Sequence, residues 1–141
     1  MGAGLSGCCA AFSLMRKDGT LPEDELLELL KAGNYTIIDA RGHDYNNESG
    51  LPGSVSVPSG ATPEESKAYL EEALKAEPLA SLSKDSLLLC HCDAGLYAAS
   101  TRAAFENAGY TNAKNAGGWG RVKRLMQSIN PEQELMLGKK G

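Results

Sequence analysis

The strongest fold signal in this sequence of 141 residues is the run Leu87-Leu88-Leu89-Cys90-His91-Cys92-Asp93-Ala94-Gly95-Leu96-Tyr97-Ala98. Its first five residues are apolar enough to predict a central strand that is covered on both faces. A helix is predicted over residues 98–108, so Cys92 lies at the mouth of a strand-to-helix turn. Backbone N–H groups at a helix start favour an anion and therefore a thiolate. We predict that Cys92 is a reactive nucleophile; the alternative is a buried, inert cysteine.

Short apolar strands alternate with helices on both sides of this run. Further strands are predicted at residues 36–40, 54–57 and 112–115, and further helices at 20–33, 63–76 and 122–129. The first of these helices has a capping box, with Thr20 as the N-cap and Glu23 three residues on, and it ends at Gly33. Residues 41–50 are predicted to be a polar loop. The alternation predicts an α/β fold with a mostly parallel sheet, helices on both sides, and ligands at the carboxyl ends of the strands.

Length and composition fit one globular domain, since 42% of the residues are hydrophobic. The four cysteines form two close pairs, Cys8-Cys9 and Cys90/Cys92, which make poor disulfides and indicate a reducing compartment.

The net charge of −4 is segregated, because residues 114–128 are basic and residues 64–77 are rich in acids. The basic part is suited to an anionic ligand, although ordinary solvated helix faces explain it equally well. No nucleic-acid partner is predicted, and no apolar run is long enough for a transmembrane helix.

Five short segments resemble motifs of the rhodanese family, and they occur in the family's order. They are Ile37-Ile38-Asp39-Ala40-Arg41, Leu51-Pro52-Gly53-Ser54-Val55, Cys92-Asp93-Ala94-Gly95, Ala108-Gly109-Tyr110-Thr111-Asn112 and Lys114-Asn115-Ala116-Gly117-Gly118. The resemblance covers residues 20–129 and is strongest to the small single-domain rhodaneses. It implies a three-layer α/β/α rhodanese-like fold with a mostly parallel five-stranded central sheet.

The resemblance also implies a sulfurtransferase that moves sulfane sulfur from a thiosulfate-like donor to a thiophilic acceptor through a Cys92 persulfide. The implied partners are a small sulfur-containing anion and a thiol or cyanide acceptor, and the protein is expected to be a monomer. No metal or organic cofactor is implied, because the loop N–H groups can hold the thiolate and the persulfide. The implied substrate-binding residues are Asp93, Ala94, Gly95, Leu96, Tyr97, Ala98 and Arg41. For Arg41 the alternative is a structural ion pair with Asp39.

The charges of the loop after Cys92 depart from the family pattern. Rhodaneses often have Arg or Lys where this chain has Leu96 and Tyr97, and Asp93 places an acid beside the thiolate. Both departures oppose an anionic donor. The alternative function is therefore a non-catalytic, membrane-tethered rhodanese-like module that binds a protein. Phosphatase chemistry is disfavoured, because related phosphatase loops close with an Arg where this chain has Ala98.

Three nearby side chains are predicted to have no catalytic role. His91 is interpreted as a packed strand-end residue rather than a base. Cys90 is expected to point away from Cys92 and to belong to the core. His43 is expected to be exposed in its polar loop.

The first nine residues form a candidate lipidation signal. Gly2 and Ser6 fit the myristoylation pattern, and Cys8 and Cys9 are candidates for the palmitoylation that stable anchoring also needs. The alternative is an unmodified, disordered N-terminus. We predict a flexible N-terminal segment at residues 1–19, a rhodanese domain at 20–130 and a C-terminal tail at 131–141. The protein is predicted to be cytoplasmic, and membrane-anchored only through an acylated N-terminus.

Overall fold

Four parallel strands form the central sheet. In the computed structural model, which describes residues 19–132, the strands lie in the spatial order β2-β1-β3-β4 and every neighbouring pair is parallel. β3 lies inside the sheet and all five of its residues are buried, as expected for a strand that is covered on both faces. The strands are β1 (Thr36–Asp39), β2 (Val55–Ser56), β3 (Leu88–Cys92) and β4 (Ala113–Gly118). Each corresponds to a strand predicted from the sequence, with ends that differ by at most three residues.

Helices cover both faces of the sheet. In the described part of the chain they are α1 (Glu23–Ala32), α2 (His43–Ser49), α3 (Pro63–Ala73), α4 (Leu96–Asn107) and α5 (Trp119–Ile129). α1 and α5 pack together over one face, and α3 and α4 pack together over the other. This arrangement confirms the predicted three-layer α/β/α architecture.

The side chains of β3 alternate between the two cores. Leu88, Cys90 and Cys92 belong to the core beneath α3 and α4, whereas Leu89 belongs to the core beneath α1 and α5. The expectation that Cys90 points away from Cys92 is therefore wrong, because residues two apart on a strand share a face. Its assignment to the core is confirmed, since the side chain is fully buried.

The predicted count of five strands is wrong, because the sheet has four strands within residues 19–132. Among residues 19–132, the outer side of β4 has one isolated bridge, between Thr20 and Asn115, and Leu21 N donates to Asn115 O over 2.9 Å. Pro22 follows at once and has no N–H group with which to extend the pairing. In the described part of the chain the outer edge therefore has this bridge in place of a fifth strand.

The capping role predicted for Thr20 is also wrong. Thr20 is buried beside β4, and α1 begins at Glu23 with Pro22 as its N-cap residue. The bridge to Asn115 holds Thr20 away from the helix, so its side chain is not the cap. The predicted end of the helix at Gly33 is confirmed, and its φ of 81° lies in the left-handed region that glycine adopts most easily.

The polar loop predicted at residues 41–50 contains the helix α2. None of its residues is buried. A helix without a buried face needs no apolar periodicity, and so the sequence pattern did not predict it. Asn46 fixes the helix to the sheet by donating from Nδ2 to Asp39 Oδ2 over 3.1 Å and to Ser54 Oγ over 2.8 Å. α2 therefore sits at the carboxyl end of β1, and His43 at its start is exposed as expected.

The candidate lipidation residues Gly2, Cys8 and Cys9 lie outside the described residues, as does most of the C-terminal tail. The boundaries at residues 1–19, 20–130 and 131–141 stay predictions. Within residues 19–132 no helix combines the length and the apolar character needed to cross a bilayer.

Candidate active site

Cys92 is the last residue of β3, and Gly95 precedes α4 as its N-cap residue. The turn brings the backbone N–H of Gly95 to 2.9 Å from Cys92 Sγ, to which it donates a hydrogen bond. Gly95 has a φ of 99°, which a residue with a side chain adopts only under strain, so glycine is required for this contact. Only 1% of Cys92 is exposed. The sulfur atom thus lies directly beneath the loop that follows it.

The N-terminus of α4 points its free backbone donors toward this loop. The first N–H groups of a helix have no acceptor inside the helix, and the helix dipole adds partial positive charge there. In α4 these groups belong to Leu96, Tyr97 and Ala98, and Gly95 supplies no capping side chain. The donors that this turn offers to the sulfur are therefore backbone groups and not cationic side chains.

Asn115 holds the loop against β4. Its Nδ2 donates to the carbonyl oxygen of Gly95 over 3.0 Å, and its Oδ1 accepts from Gly117 N over 2.9 Å. The residue is fully buried, so both hydrogen bonds are shielded from water. Sequence reasoning assigned no role to Asn115. The available signal was a short polar residue in a predicted strand, one residue before the pair Gly117-Gly118.

The second of those glycines, Gly118, lies where the loop after Cys92 leaves no room for a side chain. It pairs with Cys92 in the sheet, and a Cβ atom at Gly118 would lie 2.3 Å from the carbonyl oxygen of Asp93. The contact is with backbone, which cannot swing aside as a flexible side chain can. The loop after Cys92 can therefore approach β4 this closely only because residue 118 lacks a side chain.

Arg41 forms a buried ion pair with Asp39 at the end of β1. Its Nε and Nη2 donate to the Asp39 carboxylate at 3.0 and 2.9 Å, and its guanidinium lies 5.5 Å from the ring centroids of Tyr45 and Trp119. Burial raises the pKa of Asp39, but the hydrogen bonds from Arg41 outweigh burial and leave the pKa below its usual value. These contacts favour the structural role for Arg41, because its charge is neutralised where it lies.

The two residues before Cys92 show no sign of participating in catalysis. Burial raises the pKa of Cys90 to about 12, so Cys90 is a neutral thiol at physiological pH. Burial lowers the pKa of His91, and Asp39 opposes that shift only in part, so its ring is neutral. Within the described residues neither ring nitrogen of His91 has a hydrogen-bond partner. His91 is thus packed at the strand end, as the sequence predicted.

The loop itself presents acidic and apolar side chains to solvent. Asp93, Ala94, Leu96 and Tyr97 are exposed, whereas Ala98 is buried and faces the core. No residue from 93 to 98 is basic.

The basic residues of α5 have other contacts. Arg121 donates to the Leu21 carbonyl, Arg124 pairs with Glu23, and Lys123 lies 4.8 Å from the Trp119 ring centroid. Two of the three side chains are therefore directed toward the start of α1 and not toward the loop.

Comparison with known proteins identifies related domains. A family model described as Rhodanese-like domain matches residues 22–124. The structure resembles the human single-domain sulfurtransferase TSTD1, with 23% identity over 75% of this chain and 96% of that chain and a TM-score of 0.57. It also resembles a rhodanese-like domain from Anabaena sp., with 17% identity, coverage of 82% and 86%, and a TM-score of 0.55.

A third similar structure is a Rhodopseudomonas palustris protein described as of unknown function and a possible tyrosine phosphatase. It shares 21% identity over 88% of this chain and 95% of that chain, with a TM-score of 0.52. At such identities the likeness to solved structures concerns the fold alone. Among curated proteins, none matches this chain significantly.

Proposed function

This chain belongs to the rhodanese-like domain family, and from that membership we propose that it is a sulfurtransferase with Cys92 as its nucleophile. The observation that carries the proposal is the hydrogen bond of 2.9 Å from Gly95 N to Cys92 Sγ at the N-terminus of α4. A cysteine at a helix N-terminus gains thiolate character and nucleophilicity. The same arrangement provides donors for a second sulfur atom once one is attached.

The reaction is a double displacement through a persulfide. The Cys92 thiolate attacks the sulfane sulfur of thiosulfate, the S–S bond of the donor breaks, and sulfite leaves with the electron pair. The terminal sulfur of the resulting persulfide carries the negative charge. A thiol or cyanide acceptor then attacks that sulfur, and Cys92 leaves again as a thiolate.

The backbone from Asp93 to Ala98 is proposed as the cradle for this chemistry. The N–H groups of Leu96, Tyr97 and Ala98 are free of intrahelical partners and are available to the terminal sulfur. Arg41 was predicted to bind substrate, but its buried pairing with Asp39 supports an indirect role, in which it fixes the end of β1. Electrostatic stabilisation then comes from groups that need no reorganisation during the reaction.

Intact-protein mass spectrometry tests the proposal. The full-length chain is incubated with thiosulfate and, separately, with a low-molecular-weight organic persulfide, and we expect a gain of one sulfur atom. Cys92→Ala should abolish the gain. The matched control is Cys90→Ala, which removes a neighbouring buried thiol on the same face of β3 and should keep the gain. A gain that survives in Cys92→Ala and disappears in Cys90→Ala would reassign the nucleophile.

The second candidate function is a non-catalytic module that binds a protein partner and is tethered through an acylated N-terminus. Two observations favour it: Cys92 is almost completely buried, and Leu96 and Tyr97 expose apolar surface where an enzyme acting on a dianion would use a cation. A full-length protein that binds a partner but gains no sulfur from any donor would support this function. Phosphatase activity is not proposed, because Ala98 cannot supply the bidentate grip that an arginine gives a phosphate.

A further inference from the structure

The edge strand β4 has a bulge where it passes the Cys92 site. Asn115 is the sheet partner of Cys90 and Gly118 is the sheet partner of Cys92, so three steps along β4 match two steps along β3. The register shifts between Cys90 and His91. An extra residue of this kind bends a strand and redirects its side chains, and such bulges are frequent beside active sites. The bulge therefore determines which groups of β4 meet the loop after Cys92.

The side chain of Asn115 closes this bulge. Its Oδ1 accepts from Gly117 N over 2.9 Å, two residues further along the same strand, in the way that asparagine closes tight turns. Its Nδ2 donates to the carbonyl oxygen of Gly95 over 3.0 Å. The reverse orientation of the carboxamide would place Nδ2 against the N–H of Gly117 and Oδ1 against the carbonyl of Gly95. One orientation alone satisfies both contacts, so the donor is directed at the start of α4.

The carbonyl oxygen of Gly95 accepts two hydrogen bonds. Asn115 Nδ2 supplies one, and Ala99 N supplies the other over 3.2 Å as the first bond of α4. The next N–H, that of Leu96, belongs to the same planar peptide group and points in the opposite direction, away from the helix. Two bonds to the carbonyl fix the orientation of this N–H and polarise it. Asn115 thus acts on the Leu96 N–H through the peptide group between Gly95 and Leu96.

These contacts lie in a part of the protein that excludes solvent. Asn115 is fully buried, and only 1% of Cys92 is exposed. In such surroundings a hydrogen bond is electrostatically stronger than in water, and a polar group that loses its partner is costly. Gly95 also donates its own N–H to Cys92 Sγ over 2.9 Å. One buried carboxamide therefore restrains the residue that already donates to the sulfur.

Building on the proposed sulfurtransferase function, we infer that Asn115 is a positioning residue for the Cys92 nucleophile. Its carboxamide holds the Gly95 carbonyl so that the N–H groups of Gly95 and Leu96 stay directed toward the negative sulfur, first in the thiolate and then in the persulfide. Asn115 acts through the backbone of the loop and takes part in no bond-making step. Its contribution differs from that of Gly118, which gives the loop room.

The pH profile of alkylation at Cys92 tests the inference on the full-length protein. Iodoacetamide is the probe, and the modified site is quantified by digestion and mass spectrometry because the chain has four cysteines. Asn115→Leu keeps the approximate size of the side chain and removes both hydrogen bonds. Loss of a direct donor to an anion costs about 10²–10³ in rate, so loss of a group that orients such donors should slow alkylation at pH 7 about tenfold. The whole profile should move to higher pH.

A purely structural role for Asn115 predicts a different profile. Loosening of the loop would expose the sulfur and raise the plateau rate at high pH, without moving the profile along the pH axis. Asn115→Ser is the second variant, because a serine hydroxyl can still accept from Gly117 N but is too short to reach the Gly95 carbonyl. Its profile should move in the same direction as that of Asn115→Leu.

The matched control is Asn112→Leu, the same replacement directly before β4. Asn112 Nδ2 lies 3.5 Å from the carbonyl oxygen of Asp85, at the opposite edge of the sheet. The pH profile of this variant should coincide with that of the wild type.

A measurement on the wild type follows the Leu96 N–H directly. In ¹H–¹⁵N correlation spectra its amide proton should move downfield as Cys92 ionises, because hydrogen bonds to an anion are short and strong. Cys92→Ser should abolish this response, and Asn115→Leu should weaken it.

Three results would overturn the inference: an unmoved pH profile in both Asn115 variants, an equal displacement in Asn112→Leu, or a Leu96 amide that does not respond in the wild type. Incubation of the wild type with thiosulfate and with an organic persulfide separates this outcome from the proposed function. If sulfur is gained while the profile stays unmoved, the sulfurtransferase proposal stands and only the role of Asn115 is wrong. If the profile moves but no donor transfers sulfur, Asn115 positions a reactive thiolate and the sulfurtransferase proposal is wrong.

Discussion

Replacement of Gly118 by alanine should disable sulfur transfer while leaving the chain folded. A Cβ atom at this position would lie 2.3 Å from the Asp93 carbonyl oxygen and 3.2 Å from its carbonyl carbon, whereas ordinary contacts begin at 3.4 Å. Relief of the clash displaces the loop after Cys92 by about 1 Å, and a displacement of that size lowers a catalytic rate by about 100-fold. Gly118 has a φ of −91°, so the effect comes from the close approach and not from backbone strain.

The same clash should destabilise the fold modestly. Overpacking of a tight site typically costs about 1–3 kcal/mol, which the two cores of this sheet can absorb. We expect a decrease of about 100-fold in the rate of Cys92 persulfidation by thiosulfate, measured by quenched intact-protein mass. Urea denaturation of the same sample should show one cooperative transition at a lower midpoint.

The matched control is Gly120→Ala, two residues further along in the first turn of α5. A Cβ atom there meets no atom within 4 Å, and alanine favours a helix over glycine by about 0.5–1 kcal/mol. This variant should keep the wild-type rate and be slightly more stable. If Gly118→Ala also kept the wild-type rate and stability, the contact between Gly118 and Asp93 would not be what positions the loop.

Three further predictions test the electrostatics of the site. Asp93→Asn, alone and with Tyr97→Arg, should raise the rate of persulfidation by thiosulfate, because a repulsive charge is removed and a paired donor is added; unchanged kinetics in both would contradict this. In the wild type, burial lowers the pKa of His91, so as the pH falls the unfolded chain binds a proton at His91 that the folded chain does not bind. His91→Leu removes this difference and should flatten the pH dependence of the free energy of unfolding. Wild-type stability should then fall as the pH drops below about 6.5, by up to about 1.4 kcal/mol per pH unit, and urea titrations at pH 7 and 5.5 measure the difference. Arg41→Met should lower the free energy of unfolding by about 3–5 kcal/mol, because it leaves the Asp39 carboxylate buried without its partner; a loss below 1 kcal/mol would show that water replaces the guanidinium.

Much of the fold could be predicted because the central elements depend on local patterns. The apolar run that contains β3 has too few polar residues to lie at the surface, and its short length favours a buried strand. The first helix ends at Gly33 because the left-handed conformation required there is easiest for glycine. The position of Cys92 followed from the same patterns, since a nucleophile between a buried strand and a helix must lie at the carboxyl edge.

The errors arose where distant contacts outweighed local preference. Thr20 fits a capping box, but pairing with Asn115, far along the chain, takes it into the sheet edge instead. The helix α2 has no buried residue and is fixed by Asn46, whose partners are in β1 and in the turn before β2. Such contacts leave no periodic trace in the sequence.

The candidate site is built almost entirely from backbone groups, and this limits what side-chain motifs can reveal about it. The donor to Cys92 Sγ is the N–H of Gly95, and the loop is held by its own carbonyl groups against Asn115 and Gly118. The side chains of Leu96 and Tyr97 take no part in that framework, because they point to solvent. They can therefore change without disturbing the sulfur atom. The position of the sulfur atom is thus separable from the side chains that the loop exposes, since that position depends on two glycines and an asparagine, whereas Leu96 and Tyr97 face solvent.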